Sequence, residues 1–117
     1  MYVIRKQFNC CCSHQLMGLP SEHPCARNHG HNYVITVELA SKWLSDVGFV
    51  QDYRELDPMK KFIDGELDHH NLNEVLEVNP TAENIAKYIF DIFKHEYPLL
   101  VAIEVSETPK TTARYQP

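Results

Sequence analysis

The chain has 117 residues, 44% of them hydrophobic, and a net charge of −5 at pH 7. This length suits a single domain spanning residues 1–117. The negative charge argues against broad nucleic-acid binding, and no apolar run approaches the ~18 residues of a membrane helix. The N-terminus also lacks the charged-then-apolar form of a signal peptide, so we expect a cytoplasmic protein without membrane partners.

Residues 2–12 alternate between apolar and polar side chains, which predicts a β-strand with Lys6 as the exception. His14 continues the apolar face just beyond this strand. Consecutive cysteines alternate faces on a strand and do not converge on one metal, so we interpret Cys10, Cys11 and Cys12 as packing residues. Residues 15–28 contain prolines and a glycine and predict a long loop.

A second strand is predicted over residues 31–40, where apolar side chains again occupy every other position. His29 and His31 precede it on the same parity, so both rings are expected to project from one face. Gly30 between them leaves room for a close approach.

Two helices and two further strands follow. Asp57-Pro58 predicts a helix start with a stripe formed by Met59, Phe62, Ile63 and Leu67, and residues 81–96 carry a clear helical stripe. Residues 99–108 predict a strand with Leu99, Val101, Ile103 and Val105 on one face, and residues 110–116 a last strand. The order β-β-α-α-β-β predicts an α+β fold with both helices on one face of an antiparallel sheet.

His14, His29 and His31 are candidate metal ligands because the predicted strands bring their rings to a common face. Three imidazoles suit zinc with an open fourth position. Cys25 is then a candidate acid/base or nucleophile beside the metal. In the alternative interpretation Cys25 is a fourth ligand, which closes a structural zinc site.

Two further candidates carry carboxylates. Asp68 precedes His69, and a carboxylate that orients an imidazole is typical of general acid/base catalysis, although a solvated helix end explains the pair equally well. Glu107 extends the apolar face of a strand and therefore needs a partner. That partner is either a buried cation or the paired N–H groups of a ligand such as a pterin.

Several of these motifs, in this order, resemble the 6-pyruvoyl-tetrahydropterin synthase / 6-carboxy-tetrahydropterin synthase family over nearly the whole chain. The matching segments are His14-Gln15-Leu16, Cys25 through His31, Gly48 through Tyr53, Leu67 through Asn73, Asn79 through Glu83, and Val105 through Thr108.

The resemblance implies the tunnelling fold (T-fold) and a homo-oligomeric barrel, typically a hexamer built as a dimer of trimers, with active sites between subunits. It implies zinc ligation by His14, His29 and His31. Cys25 is implied as the proton acceptor, and Asp68 with His69 as a relay pair from a neighbouring subunit. Glu107 is implied as the anchor of the pterin ring of 7,8-dihydroneopterin triphosphate.

Three residues separate Cys25 from His29, which is similar to the carboxy-forming branch that serves queuosine and related 7-deazapurine synthesis. The expected product is therefore 6-carboxy-5,6,7,8-tetrahydropterin, released with acetaldehyde and triphosphate. The alternatives are the pyruvoyl-forming lyase of the same family and a non-catalytic assembly module with structural zinc. Arg27, Lys110 and Arg114 are candidate phosphate contacts.

Overall fold

The computed structural model describes residues 1–117 as a four-stranded antiparallel sheet in the order β1-β2-β3-β4, with two α-helices. The α+β class predicted from the sequence is confirmed. The strands are β1 (Tyr2–His14), β2 (His29–Ser41), β3 (Leu100–Thr108) and β4 (Thr111–Tyr115), and the helices are α1 (Asp57–Phe62) and α2 (Ala82–Phe93). Short 3₁₀ turns cover Pro24–Ala26, Tyr53–Leu56 and Leu72–Glu74, and a π-helical turn covers Ile63–Leu67.

The first two strands form a long hairpin that pairs without interruption from Tyr2 opposite Ser41 to His14 opposite His29. Alternate residues of both strands face the helices, and this face holds most of the apolar side chains of the sheet. The pairing extends both strands beyond their predicted ends, so that all the histidines of the hairpin lie within the ladder.

Helix α2 covers the inner face of the sheet. It starts after Thr81, whose side-chain oxygen accepts a hydrogen bond from the backbone N–H of Asn84 and so caps the first turn. Its stripe of buried residues consists of Ile85, Ala86, Ile89, Phe90 and Phe93. The helix ends at Phe93, three residues before the predicted end and well before Pro98.

Strand β3 departs from the predicted alternation. Glu38 of β2 pairs with Ala102, whereas the next residue, Leu39, pairs with Leu100, so a β-bulge leaves Val101 unpaired. Leu100 is therefore fully buried while Val101 is half-buried. The prediction that Val101 shares the inward face with the buried residues of β3 is wrong, because a bulge shifts the parity of every residue before it.

The outer edge of β1 is covered over only part of its length. The segment that follows the π-helical turn reaches Cys11 and Ser13 through backbone and carboxylate hydrogen bonds. From Tyr2 to Cys10 no strand pairs with this edge, and the outer edge of β4 is likewise unpaired. Unpaired edges of this kind are templates for association with another chain. The longest helix has twelve residues, and none combines the length and hydropathy required of a membrane span.

Helix α2 supplies a matched test of the core. Ile89 is fully buried and Ile92 is 39% exposed on the same helix. We expect Ile89→Ala to lower the free energy of unfolding by about 2–5 kcal/mol, because it removes buried methyl groups and leaves a cavity. Ile92→Ala should change it by no more than about 0.5 kcal/mol. Urea unfolding followed by circular dichroism measures both, and equal losses would contradict the described packing.

Candidate functional site

Three histidine rings meet at the end of the β1–β2 hairpin. His14 lies directly opposite His29, and Cys12 lies opposite His31, so the pairing places all three rings on the inner face. The ring centroids are 4.5–5.0 Å apart. One ligand nitrogen from each ring lies within 4.8 Å of the other two, so the cluster can hold a metal ion.

Hydrogen bonds fix which ring nitrogens face the centre of the cluster. Nδ1 of His14 lies 2.7 Å from the carbonyl oxygen of Pro80, and Nδ1 of His29 lies 2.6 Å from that of Arg27. A carbonyl only accepts, so each Nδ1 carries the proton and each Nε2 presents a lone pair. These two Nε2 atoms lie 2.9 Å apart. Two lone pairs facing each other at this distance repel unless a cation binds between them.

The third ring also has a free nitrogen. His31 Nε2 is buried without a hydrogen-bond partner, and the nearest carboxylate oxygen, from Glu107, lies 3.5 Å away. Burial lowers the pKa of His31 below its ordinary value, although the charge of Glu107 opposes the shift. The ring is therefore neutral at pH 7, which is the form that binds a metal.

The donor set fits a transition metal with an open position. Nitrogens bound at 2.0–2.1 Å to a tetrahedral zinc lie about 3.3 Å apart, and the 2.9 Å between His14 and His29 is close to this spacing. The cluster contains three imidazoles and does not include the thiol of Cys25. A ligand can therefore occupy a fourth position.

Tyr33 contacts the cluster, with its ring centroid 5.4 Å from that of His31 and 6.0 Å from that of His14. The sequence did not identify it as a site residue. Its hydroxyl oxygen is 3.2 Å from His14 Nδ1, where it can share the ring proton with the carbonyl of Pro80. Burial raises the pKa of Tyr33, so the phenol stays protonated. The only signal in the sequence is its position two residues after His31, and an apolar-faced strand explains that position equally well.

Cys25 lies in the 3₁₀ turn Pro24–Ala26, and its side chain is half-buried. Two hydrogen bonds hold its backbone. Its N–H donates to Nδ1 of His23 at 3.0 Å, and its carbonyl accepts from the N–H of Leu16 at 2.8 Å. The predicted loop thus returns Cys25 to the residues that directly follow β1.

Asp68 and His69 are in contact, as the sequence interpretation requires. His69 Nδ1 lies 2.8 Å from one carboxylate oxygen of Asp68, and the other oxygen accepts the N–H of Cys11 at 2.7 Å. The hydrogen bond from Cys11, followed by that from His69, holds the pKa of Asp68 below its ordinary value. The carboxylate is therefore ionised and orients an imidazole whose side chain is 80% exposed.

The backbone around this pair is unusual. The π-helical turn ends with the N–H of Asp68 donating to the carbonyl of Ile63 at 2.8 Å. His69 has φ of 60°, a left-handed conformation that is uncommon outside glycine, and its N–H donates to the carbonyl of Cys11 at 2.6 Å. Features of both kinds are frequent at functional sites.

Glu107 joins the histidine cluster through His31, whereas Asp68 and His69 lie along the outer edge of β1 beside Cys11. Within one chain the structure thus brings four of the predicted site residues together. It places Cys25 and the Asp68–His69 pair on separate segments that flank the end of β1.

The cysteines of β1 and Arg114 are packed or paired within the sheet. Cys10 and Cys12 are buried on the inner face with their sulfur atoms 3.2 Å apart, while Cys11 is exposed on the opposite face. The hydrogen bond from Cys12 and burial raise the pKa of the Cys10 thiol. The guanidinium of Arg114 binds the carboxylates of Glu38 and Glu104. Arg114 is therefore paired within its own sheet, which argues against it as a phosphate contact.

Comparisons with known proteins point to one family. A sequence model of the 6-pyruvoyl tetrahydropterin synthase family matches residues 3–117. The 6-carboxy-5,6,7,8-tetrahydropterin synthase of Bacillus subtilis is 32% identical over 106 residues, covering 80% of this chain and 70% of that protein. The 6-pyruvoyl tetrahydrobiopterin synthase of Dictyostelium discoideum is also 32% identical, over 98 residues, covering 79% of this chain and 73% of that protein.

The solved structure of the 6-pyruvoyl tetrahydropterin synthase of Caenorhabditis elegans superposes with a TM-score of 0.87 at 26% identity. The match covers 99% of this chain and 95% of that one. The sheet and helices described above therefore form the tunnelling fold.

Metal binding tests the histidine cluster directly. We expect one zinc ion to bind per chain. Loss of a residue that only hydrogen-bonds to a metal ligand lowers metal affinity by roughly 10–100-fold. His29→Ala removes a ligand itself, so we expect it to lower the zinc affinity by more than this. A competition titration with a chromogenic chelator measures the affinity. His95→Ala is the matched control, because His95 is exposed, follows the C-terminal end of α2 and is not part of the cluster. Equal affinities of the two variants would contradict the site.

Proposed function

The chain belongs to the 6-pyruvoyl tetrahydropterin synthase family, whose named members are lyases, and on that premise we propose a specific activity. The protein is a zinc-dependent 6-carboxy-5,6,7,8-tetrahydropterin synthase of queuosine or related 7-deazapurine synthesis. It converts 7,8-dihydroneopterin triphosphate and water to 6-carboxy-tetrahydropterin, acetaldehyde and triphosphate. The observation that carries the proposal is the convergence of one ring nitrogen from each of three histidines beside Glu107.

Zinc is the metal proposed for His14, His29 and His31. All three donors are imidazoles, a ligand that suits zinc with an open position. When bound, zinc supplies Lewis acidity that increases the acidity of C–H and O–H bonds in the substrate side chain. The hydrogen bonds from His14 and His29 to backbone carbonyls keep both rings in the tautomer required for ligation.

Cys25 and the Asp68–His69 pair are the proposed proton carriers. Cys25, as the thiolate, accepts a proton from the substrate side chain. His69 relays a second proton, and Asp68 keeps its Nδ1 protonated so that Nε2 exchanges the proton. The exposed position of the His69 ring supports this role, because it leaves the ring free to meet a substrate.

Glu107 is the proposed anchor of the pterin ring. Its side chain is 27% exposed next to the cluster and has no basic partner other than His31. A carboxylate with two free oxygens binds the paired N–H groups along one edge of a pterin. This contact holds the substrate side chain toward the histidines, which is the geometric condition for reaction.

The carboxy-forming activity is preferred over the pyruvoyl-forming one because of the three-residue spacing between Cys25 and His29. Overall identity does not separate the two, since one relative of each name is 32% identical to this chain. The pyruvoyl-forming reaction stays the alternative. The structural-zinc alternative requires a fourth protein ligand, and the absence of the Cys25 thiol from the cluster argues against it.

The proposed assembly is a hexamer made of two trimers, with Asp68 and His69 of one subunit completing the site of a neighbour. The unpaired edges of β1 and β4 support association through the sheets. His69 lies outside the histidine cluster of its own chain and its side chain is 80% exposed, which supports a site completed between subunits.

Product analysis tests the activity. Zinc-loaded protein is incubated with 7,8-dihydroneopterin triphosphate, and the products are identified by mass spectrometry. We expect 6-carboxy-tetrahydropterin with acetaldehyde, and we expect Cys25→Ala to lower kcat by about 100-fold or more because the proton acceptor is lost. Cys11→Ala is the control, since Cys11 is exposed on the opposite face of the sheet. A pyruvoyl product would assign the chain to the pyruvoyl-forming branch of the family. An absence of turnover would contradict the proposed enzymatic activity.

Mixing two inactive variants tests the shared site. In a hexamer reassembled from equal amounts of Cys25→Ala and His69→Ala, a site that takes the two residues from different subunits is intact in about a quarter of cases. We therefore expect kcat to return to about a quarter of that of the unmodified protein. Mixing each variant with itself gives the baseline. No recovery, in mixed hexamers verified by mass spectrometry, would assign both residues to one subunit.

A further inference from the structure

Residues 15–17 follow β1, and two asparagine side chains bind their backbone in the way that a neighbouring strand does in a sheet. Asn73 accepts the N–H of Gln15 and donates to the carbonyl of Gln15, both at 2.7 Å. Asn79 makes the same paired bonds with the N–H and carbonyl of Met17, both at 2.8 Å. Each side-chain amide reproduces the two-bond exchange between residues of an antiparallel ladder.

The other edge of this segment holds the loop of Cys25. The N–H of Leu16 donates to the carbonyl of Cys25 at 2.8 Å, and the side chain of Gln15 donates to the carbonyl of Ala26 at 2.8 Å. In an extended chain the backbone groups of successive residues point to opposite sides. The asparagines therefore bind one side of residues 15–17, and Cys25 binds the other.

Neither asparagine side chain is needed to cap a local turn. The 3₁₀ turn Leu72–Glu74 is capped by the side chain of Asn71, and α2 is capped by Thr81. Both hydrogen-bonding groups of Asn73 and of Asn79 are instead directed to residues 15–17. Both residues are half-buried, so water competes only partly for these bonds.

We propose that Asn73 and Asn79 are positioning residues that form an amide clamp on residues 15–17 and thereby fix the Cys25 thiol relative to the histidine cluster. The inference rests on the proposed function, in which Cys25 is the proton acceptor. The clamp also connects the two proton carriers, because Asn73 follows Asp68 and His69 in the segment that covers the outer edge of β1.

Three measurements on the zinc-loaded full chain test the clamp in Asn73→Ala. We expect faster hydrogen exchange at the amides of residues 15–17, and alkylation of Cys25 by iodoacetamide that is at least about 3-fold faster, because the segment opens locally. We expect kcat to fall by about 10–100-fold with KM within about 3-fold, because the thiol is displaced while the pterin anchor stays in place. Site-resolved mass spectrometry follows the alkylation, with exposed Cys11 as the internal reference.

Two variants separate positioning from general destabilisation. Asn73→Asp keeps the acceptor for the N–H of Gln15 but sets a carboxylate oxygen against the carbonyl oxygen of Gln15, where the two acceptors repel, so its effects should be at least as large as those of Asn73→Ala. Ile89→Val removes a buried methyl group from α2 and so lowers stability, while residue 89 takes no part in the hydrogen bonds to residues 15–17. The proposal is overturned if Asn73→Ala, at an equal folded fraction, matches Ile89→Val in kcat and in alkylation of Cys25.

Failure of the proposed function gives a different pattern. If the unmodified chain does not turn over the substrate, the proposed activity is refuted while hydrogen exchange and alkylation still decide whether the clamp positions Cys25. If Asn73→Ala does not fold, Asn79→Ala and Asn73→Asp are measured in the same way, and unchanged Cys25 alkylation in both refutes the clamp.

Discussion

The register of the β1–β2 hairpin is the constraint on which the site depends. Because side chains alternate along a strand, a shift of one residue would move every histidine of one strand to the other face. The apolar residues on the inner face of both strands oppose such a shift, since it would expose them to water. The same hydrophobic pattern that builds the core therefore sets His14 opposite His29 and places His31 beside them.

Hydrogen bonds to backbone atoms orient the site residues that the register brings together. The carbonyls of Pro80 and Arg27 each fix the tautomer of one histidine, and the backbone of Cys11 holds both Asp68 and His69. A backbone carbonyl offers no proton, so it determines ring orientation and protonation together. The end of β1 is therefore the place where the long loop, the π-helical turn and the start of α2 meet.

The sequence predicts the strands, the helical stripe of α2 and the common face of the histidines, because periodicity and strand parity are local properties. It does not predict the bulge at Val101 or the left-handed backbone of His69, since both depend on pairing with distant residues. Tyr33 was missed because a buried aromatic residue on a strand has a sufficient explanation in packing. Asn73 and Asn79 lie in segments that resemble the family, but their contacts with residues 15–17 are visible only in the folded structure.

The outer face of the sheet carries an ion-pair network, whereas the inner face is apolar, and this difference is relevant to the proposed assembly. Arg5 on β1 and Arg114 on β4 flank Glu38 on β2 and Glu104 on β3, and the four side chains form one ion-pair network. The two glutamate side chains are only 12% and 17% exposed, and the hydrogen bond from Arg114 lowers the pKa of Glu38. Two positive and two negative charges cancel, so this face is polar but carries little net charge. In the proposed barrel the faces of several sheets come together, and a neutral network avoids the repulsion that like charges from several subunits would cause.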